Sequence, residues 1–348
     1  MKLGGIPQNP VEWIAAKLGL LPQPLLDTHV AMLLARSVME GTRLGVFEAL
    51  AAGPLAAEDI AARCGCEPRA TRKLLEALAG TEYLRLAAGR YALTPLARKW
   101  LLADAGHSLR DKMLLLFLEW DFIARTGDYV RTGRPLDFHA ALTPEEWGIY
   151  QRGIRATVST WAPEVARRTP VPKGAKDFLD IGGAHGLLSA AICRRHPGLR
   201  AVILDLPEAV EHAAPLLARE EMGDRVVHRA GNALTDDLGT EAWDVVFVSN
   251  LVHHFDDPTN RALTKRIAAA LRPGGIFVLQ ELYRPSSPGE EGQIGALLDL
   301  YFALTSRSGT WSFQEMAAWQ REAGLTPRKP IKLVTAPGTG QQSAVKTR

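Results

Sequence analysis

Two adjacent histidines, His253 and His254, lie in the run Leu251-Val-His-His-Phe-Asp-Asp257. Histidine, with an unperturbed pKa of about 6.5, can take a proton from a hydroxyl near neutral pH. Upstream, Phe178-Leu-Asp-Ile-Gly-Gly-Ala-His-Gly186 reads as an apolar strand ending in Asp180, then a tight turn, then a helix from Leu187. Such a turn brings backbone close to an adenosine-type cofactor. Glycine lets the chain bend and keeps side chains away from the ligand. The glycines stand at 182, 183 and 186, with Ala184 between them. That does not spell the Gly-x-Gly-x-x-Gly of dinucleotide sites. It fits a Gly-x-Gly-x-Gly turn with one Gly→Ala change, a spelling suited to S-adenosylmethionine (SAM), which has no pyrophosphate to cradle. The plainer alternative is an ordinary strand-to-helix turn.

Further strands place more polar groups at their ends. Ala201-Val-Ile-Leu-Asp205 ends in an acid that can accept both hydrogens of a ribose diol. Arg225 to Asn232 ends in an amide whose oxygen can meet an adenine edge. Trp243–Val248 and Gly275–Gln280 follow. Strands alternating with helical patterns predict an α/β fold with a doubly wound, mostly parallel sheet. Ligands of such sheets sit beyond the carboxyl ends of the strands. Gly182, Asp205, Asn232, Asn250 and Glu281 all fall there, although each acid alone is also a good helix cap.

With Asp180-Ile-Gly-Gly-Ala-His-Gly186, Asp205-Leu-Pro207, Gly231-Asn232, Leu251–Asp257 and Leu271-Arg-Pro-Gly-Gly275, nearly the whole chain resembles a known family. These are the SAM-dependent small-molecule O-methyltransferases, which include plant caffeic-acid-type and bacterial natural-product tailoring enzymes. The resemblance implies a Rossmann-like methyltransferase sheet behind an N-terminal, mainly helical winged-helix dimerisation domain. It implies a homodimer, SAM as cofactor and S-adenosylhomocysteine as product. The implied cofactor positions are Asp180, Gly182, Gly183, Gly186, Asp205, Leu206, Gly231, Asn232, Ala233, Ser249 and Asn250. His253 falls at the family's catalytic base, and Glu281, 28 residues later, at the carboxylate that orients it. Otherwise His253 lines the pocket, and Glu281 is a sheet-end acid satisfied by backbone.

The chain also departs from that pattern. The family's second orienting acid lies in a Gly-x-Glu-Arg-Thr stretch, where this chain has Ser308-Gly-Thr-Trp-Ser312. Ser249 stands for the usual lysine, Asn232 for an adenine-contacting aspartate, and His254 for an acid. These changes leave room for a nitrogen or carbon nucleophile, or for a relative that binds SAM as a hydroxylase or decarboxylase.

The acceptor side reads as aromatic. Phe117, Trp120, Asp121 and Phe122 fall on one helical run, with Phe117 and Asp121 an i, i+4 pair. Phe138, Trp147, Tyr150, Phe302 and Trp311 follow, and His254 joins the candidates. The mixture suits a planar, apolar acceptor such as a phenol or polyketide. Some of these rings belong to the core instead.

The elements that must position these groups divide near Arg168-Thr-Pro-Val-Pro-Lys-Gly174, giving a capping and dimerisation domain over 1–168 and a SAM domain over 169–348. Upstream, Thr42–Leu50, Ala56–Arg63 and Pro68–Ala79 read as helices. Tyr83–Leu86 and Arg90–Leu93 read as a hairpin, and Leu21–Met39 is apolar at helical spacing. Three helices and a hairpin make a winged helix, which raises a DNA-binding regulator as the alternative class. Arg69, Arg72 and Lys73 on the third helix are offset by Glu67 and Glu76, which argues against DNA, and the family resemblance implies dimerisation instead. The 348 residues carry a net charge of +3 and 47% hydrophobic residues, an ordinary globular composition without a nucleic-acid or membrane signature. The run Met113–Leu118 is too short to span a bilayer. No metal-ligand spacing is visible. Cys64, Cys66 and Cys193 read as reduced, hence cytoplasmic.

Overall fold

The computed structural model describes residues 4–287, 292–306 and 308–347. Two compact units divide at Leu118 and Glu119. This is fifty residues before the proline-rich stretch, because the helices Pro144–Ser159 and Ala162–Arg168 send Val158, Trp161, Ala162 and Val165 into a core of the sheet.

The first unit holds the helices Ala31–Arg43, Val46–Ala49, Ala57–Cys64 and Pro68–Gly80, then strands β1 (Leu84–Ala87) and β2 (Arg90–Leu93). Pro68 opens its helix with Glu67 as the cap, whose carboxylate accepts from the Arg69 and Ala70 amides. The hairpin turn places Ala88 and Gly89 both at positive φ, as a two-residue primed turn requires. Phe47, Leu50, Ile60, Leu75, Leu78 and Tyr91 form the core. This is the winged helix that the sequence predicts. Ahead of it Val11, Trp13, Ile14, Leu18, Leu20 and Val30 are exposed, as is Leu33 in its first helix.

In the second unit β3 (Asp177–Ile181), β4 (Arg200–Asp205), β5 (Val226–Ala230), β6 (Trp243–Ser249) and β7 (Leu271–Leu282) run parallel in the order β5-β4-β3-β6-β7. β8 (Thr326–Pro327), β9 (Ile331–Lys332) and β10 (Thr339–Val345) complete the sheet, β10 lying antiparallel on β7. Both faces are covered at the centre of the sheet, so β3 and β6 carry apolar residues on both sides. Phe178, Ile203, Phe247 and Val278 pack under helices Pro144–Ser159, Ala162–Arg168 and Leu187–Arg195. Leu179, Val246, Val248 and Leu279 pack under helices Asp257–Ala270 and Phe313–Glu322. Strand order reverses between β3 and β6, which makes the gap beyond their carboxyl ends the natural ligand crevice. Cys193 lies in the first of these cores, where burial pushes its thiol up to about 12. All three cysteines are free thiols, and among the described residues no helix is long and apolar enough to cross a membrane.

Candidate active site

β6 delivers the chain to the carboxyl edge at Ser249, and Asn250 then turns it with φ of 51°. A non-glycine residue held left-handed is costly and often marks a site. The turn Val252–His254 follows. Its position is fixed through the Val252 carbonyl, which accepts from Asn260 Nδ2 at 2.9 Å and Trp311 Nε1 at 3.0 Å. Asp256 caps the next helix by accepting from the Thr259 amide. Asp257 is held by Arg261 and the Trp319 indole, whose hydrogen bonds keep its carboxyl below the usual range.

His253 and Glu281 meet across this edge. The Nδ1 of His253 lies 2.9 Å from Glu281 Oε1, and both side chains are almost fully buried, at 2% and 1% exposure. Oε1 also accepts from the Leu282 amide, whereas Oε2 has no partner among the described residues. The pairing puts the imidazole proton on Nδ1 and leaves the Nε2 lone pair for another group. Phe302 covers the ring with centroids 4.1 Å apart.

The cofactor-type residues converge at the β3 and β4 ends. Gly182 has φ of 70°, and a Cβ at Gly183 would collide with the Asp180 carboxylate. Ala184 occupies φ of 45°, the strained side of the Gly→Ala change. Asp180 is 1% exposed; Ser189 Oγ donates to its Oδ2 at 2.5 Å, while Oδ1 has no partner among the described residues. Burial pushes its pKa up to about 7. The two oxygens of Asp205 accept the Ala184 and Leu206 amides, both at 2.8 Å, which holds the carboxylate at the turn with lone pairs to spare. Burial raises its pKa as well. Leu206 is 45% exposed beside it. Asn232 behaves partly as a turn residue. Its Oδ1 accepts the Leu234 amide at 2.9 Å, so only part of its capacity is left for an adenine. A Cβ at Gly231 would meet Asp236 and Leu204. Ala233 packs on the second sheet core. Ser249 Oγ and Asn250 Oδ1 are buried and have no partner among the described residues. Orphaned polar atoms beside a glycine turn fit a ligand rich in hydroxyl and amino groups.

On the acceptor side the structure packs His254 and Phe302 against His253, and joins Phe138, Trp147 and Tyr150 in an aromatic cluster that reaches His254 through Phe138. It adds His139, which the sequence reading missed. Its ring stacks on Trp147, with centroids 5.4 Å apart and 16° between planes, and lies 4.7 Å from His254. Burial lowers His139 to about 4 and His254 well below its ordinary value. Tyr150 and Tyr301 are shifted the other way by burial, and Tyr301 is hydrogen-bonded to Glu119. Trp120 is half-buried, and Asp121 is exposed. Phe117 belongs to the first unit, where the Arg36 and Arg43 guanidiniums lie 4.6 and 4.5 Å from its ring. The segment with no second acid is pinned by Asp299, which accepts from the Thr310 amide and hydroxyl. Trp311, an aromatic candidate in the sequence, belongs to the second sheet core instead, whereas Asn260 and Asp299 carry no local motif that would have marked them. His139 was visible beside Phe138 as a histidine in an aromatic run. Among the described residues no group of three His, Cys, Asp or Glu side chains is arranged to hold a metal.

Residues 132–325 match the O-methyltransferase domain, and residues 32–103 the O-methyltransferase dimerisation domain. A 3-hydroxy-5-methyl-1-naphthoate 3-O-methyltransferase of Streptomyces sahachiroi is 26% identical over 93% of this chain and 95% of its own length. An N,N-dimethyltransferase of Streptomyces rimosus is 27% identical over 89% and 92%. Human N-acetylserotonin methyltransferase, crystallised with SAM, has the same fold, with a TM-score of 0.83 at 18% identity over 99% of this chain and 100% of its own.

Proposed function

This chain belongs to the O-methyltransferase family, and we propose that it transfers the methyl group of SAM to a hydroxyl of a small aromatic acceptor, with His253 as the base. Bound SAM supplies a methyl group already activated by the sulfonium. The protein must therefore orient the acceptor and take up its proton. The observation that carries this reading is the buried 2.9 Å pair of His253 Nδ1 and Glu281 Oε1. Glu281 holds the imidazole in one tautomer and supports the positive charge that forms when Nε2 accepts the hydroxyl proton. Asp205 accepts the ribose hydroxyls, Leu206 and Ala233 offer apolar surface, and Asn232 meets the adenine. Gly182, Gly183 and Gly186 allow close backbone approach. Asp180, Ser249 and Asn250 serve the amino-acid end. Phe302, Trp147 and Tyr150 form the walls against which a flat acceptor lies, with Trp120 and Asp121 as further candidates.

His253→Ala should lower turnover by about 10²–10⁴-fold, the usual worth of general base catalysis, with SAM affinity nearly unchanged. Glu281→Gln should lose less, because the base remains but its orientation is released. The rival reading is methyl transfer to nitrogen, which the dimethyltransferase relative favours. An amine that arrives unprotonated needs no base at the transition state. The rate would then follow the acceptor's own pKa in wild type and in His253→Ala alike, with the two proteins within a few-fold.

We further propose a homodimer working in the cytoplasm. The exposed apolar side chains between Val11 and Leu34 support a partner surface, and the dimerisation-domain match supports a second copy of this chain as that partner.

A further inference from the structure

His139 and His254 come from the short helix Phe138–Ala141 and the turn Val252–His254, yet their rings meet edge to face. Each carries a hydroxyl on one ring nitrogen. The Tyr150 hydroxyl lies 3.3 Å from His139 Nε2, and Ser306 Oγ lies 3.0 Å from His254 Nδ1. No other side-chain hydrogen bond of either hydroxyl is found among the described residues. Where the hydroxyls donate, the ring nitrogens accept and each ring keeps one N–H for another group. Assigned from that network, His139 keeps its proton on Nδ1 and His254 on Nε2. Burial keeps both rings neutral; the titratable groups that act on them are His253 on both, Asp137 on His139, and His139 on His254. Both therefore offer an N–H rather than a charge. Trp147 and Phe138 hold the His139 ring in place, with centroids 5.4 and 3.9 Å away.

We infer that His139 and His254 form a paired N–H donor for a second oxygen of the aromatic acceptor, a carbonyl ortho or peri to the hydroxyl that is methylated. The inference rests on the methyl-transfer reading, which supplies that hydroxyl and its base. His253 and His254 are chain neighbours with ring centroids 4.2 Å apart, so the base and the donor serve atoms on the same edge of a ring system. Ortho and peri oxygens lie within a hydrogen bond's length of each other, about 2.5–3.0 Å. Two protein donors suit a carbonyl with its two lone pairs. A hydroxyl in that place would bring a hydrogen that neither ring can accept.

The test measures binding to the full-length protein saturated with S-adenosylhomocysteine, using two isomeric probes. In 1-hydroxyanthraquinone the hydroxyl is peri to a carbonyl, and in 2-hydroxyanthraquinone it is remote from both. Wild type should bind the 1-isomer at least ten-fold more tightly. His139→Phe keeps a ring on Trp147 and removes the N–H, so its affinities for the two isomers should become equal. His139→Asn should restore part of the preference, and Tyr150→Phe should weaken it by freeing the tautomer. Equal binding by wild type, binding of neither probe, or a preference that survives His139→Phe overturns the inference. A labelled-methyl assay separates the two levels. Turnover of both isomers with equal binding defeats the donor pair alone, whereas a clear binding preference with no turnover defeats the methyl-transfer reading alone.

Discussion

Replacing Asp180 by asparagine should make the ligand-free protein more stable, and increasingly so as the pH rises. Asp180 is 1% exposed, with a single hydrogen-bond donor, Ser189, on Oδ2. Burial raises its pKa from 3.8 to about 7. The sign follows from that direction. Between pH 3.8 and 7 the folded protein keeps a proton that the unfolded chain has lost. Stability therefore falls as pH climbs through this window, and it stays low above it. The shift of 7 − 3.8, about 3 units at 1.36 kcal/mol each, sets a ceiling of about 4 kcal/mol. Between pH 5 and pH 8 the same two pKa values give a change of about 2–3 kcal/mol. Asparagine has the shape of the carboxyl and never ionises, so it lacks this slope. Any constant cost of the substitution, such as a weakened Ser189 contact, cancels in the pH difference.

The assay is urea unfolding of both proteins from pH 5 to pH 8. The stability gap, variant minus wild type, should widen by about 2–3 kcal/mol across that range. A cation seated beside the glycine turn would favour the ionised carboxylate. Saturating SAM should therefore shrink the gap, and SAM itself should bind the variant less tightly. A gap that stays constant within about 0.5 kcal/mol from pH 5 to 8 would refute the reasoning, because it would mean that Asp180 titrates as an ordinary solvated carboxyl.

Asp205→Ala should weaken SAM binding by about 1–3 kcal/mol, the scale for losing a buried hydrogen-bond partner, as calorimetry would show. The same variant also frees the Ala184 and Leu206 amides, so a loss in thermal stability should accompany it. Light scattering at micromolar concentration should give a dimer, with an interface larger than a standard ~1,600 Å² contact. A monomer at that concentration would contradict the reading of the exposed N-terminal residues. Removing residues 1–40 should then leave an aggregating or inactive protein.

The sheet was legible because its central strands are apolar on both faces and each ends in a polar group or glycine. A strand such as Phe178–Ile181 has nowhere to go but the middle of a doubly wound sheet. The wing was legible for a local reason: Pro68 starts a helix, and Ala88-Gly89 makes the hairpin turn. The 28-residue spacing of His253 and Glu281 survived as a direct contact, because β6 and β7 are adjacent and both residues stand just past their paired ends. The unit boundary was less legible, since a proline-rich loop marks a break in the chain path and not which core the preceding helices join.

The sequence by itself determined the winged helix, the parallel sheet, the glycine turn and the residues at the strand ends. All of these depend on interactions within a few residues or on strict hydrophobic period. The tertiary structure alone decided what each polar group has left to offer. It spent one lone pair of Asn232 on its own turn and gave Phe117 to two arginines. It pinned Val252 with Asn260 and Trp311 and set His139 against His254, which lies more than a hundred residues away in the chain. Hydrogen-bond capacity and ring contact are settled by distance in space, which carries no period along the chain, so no local pattern records them.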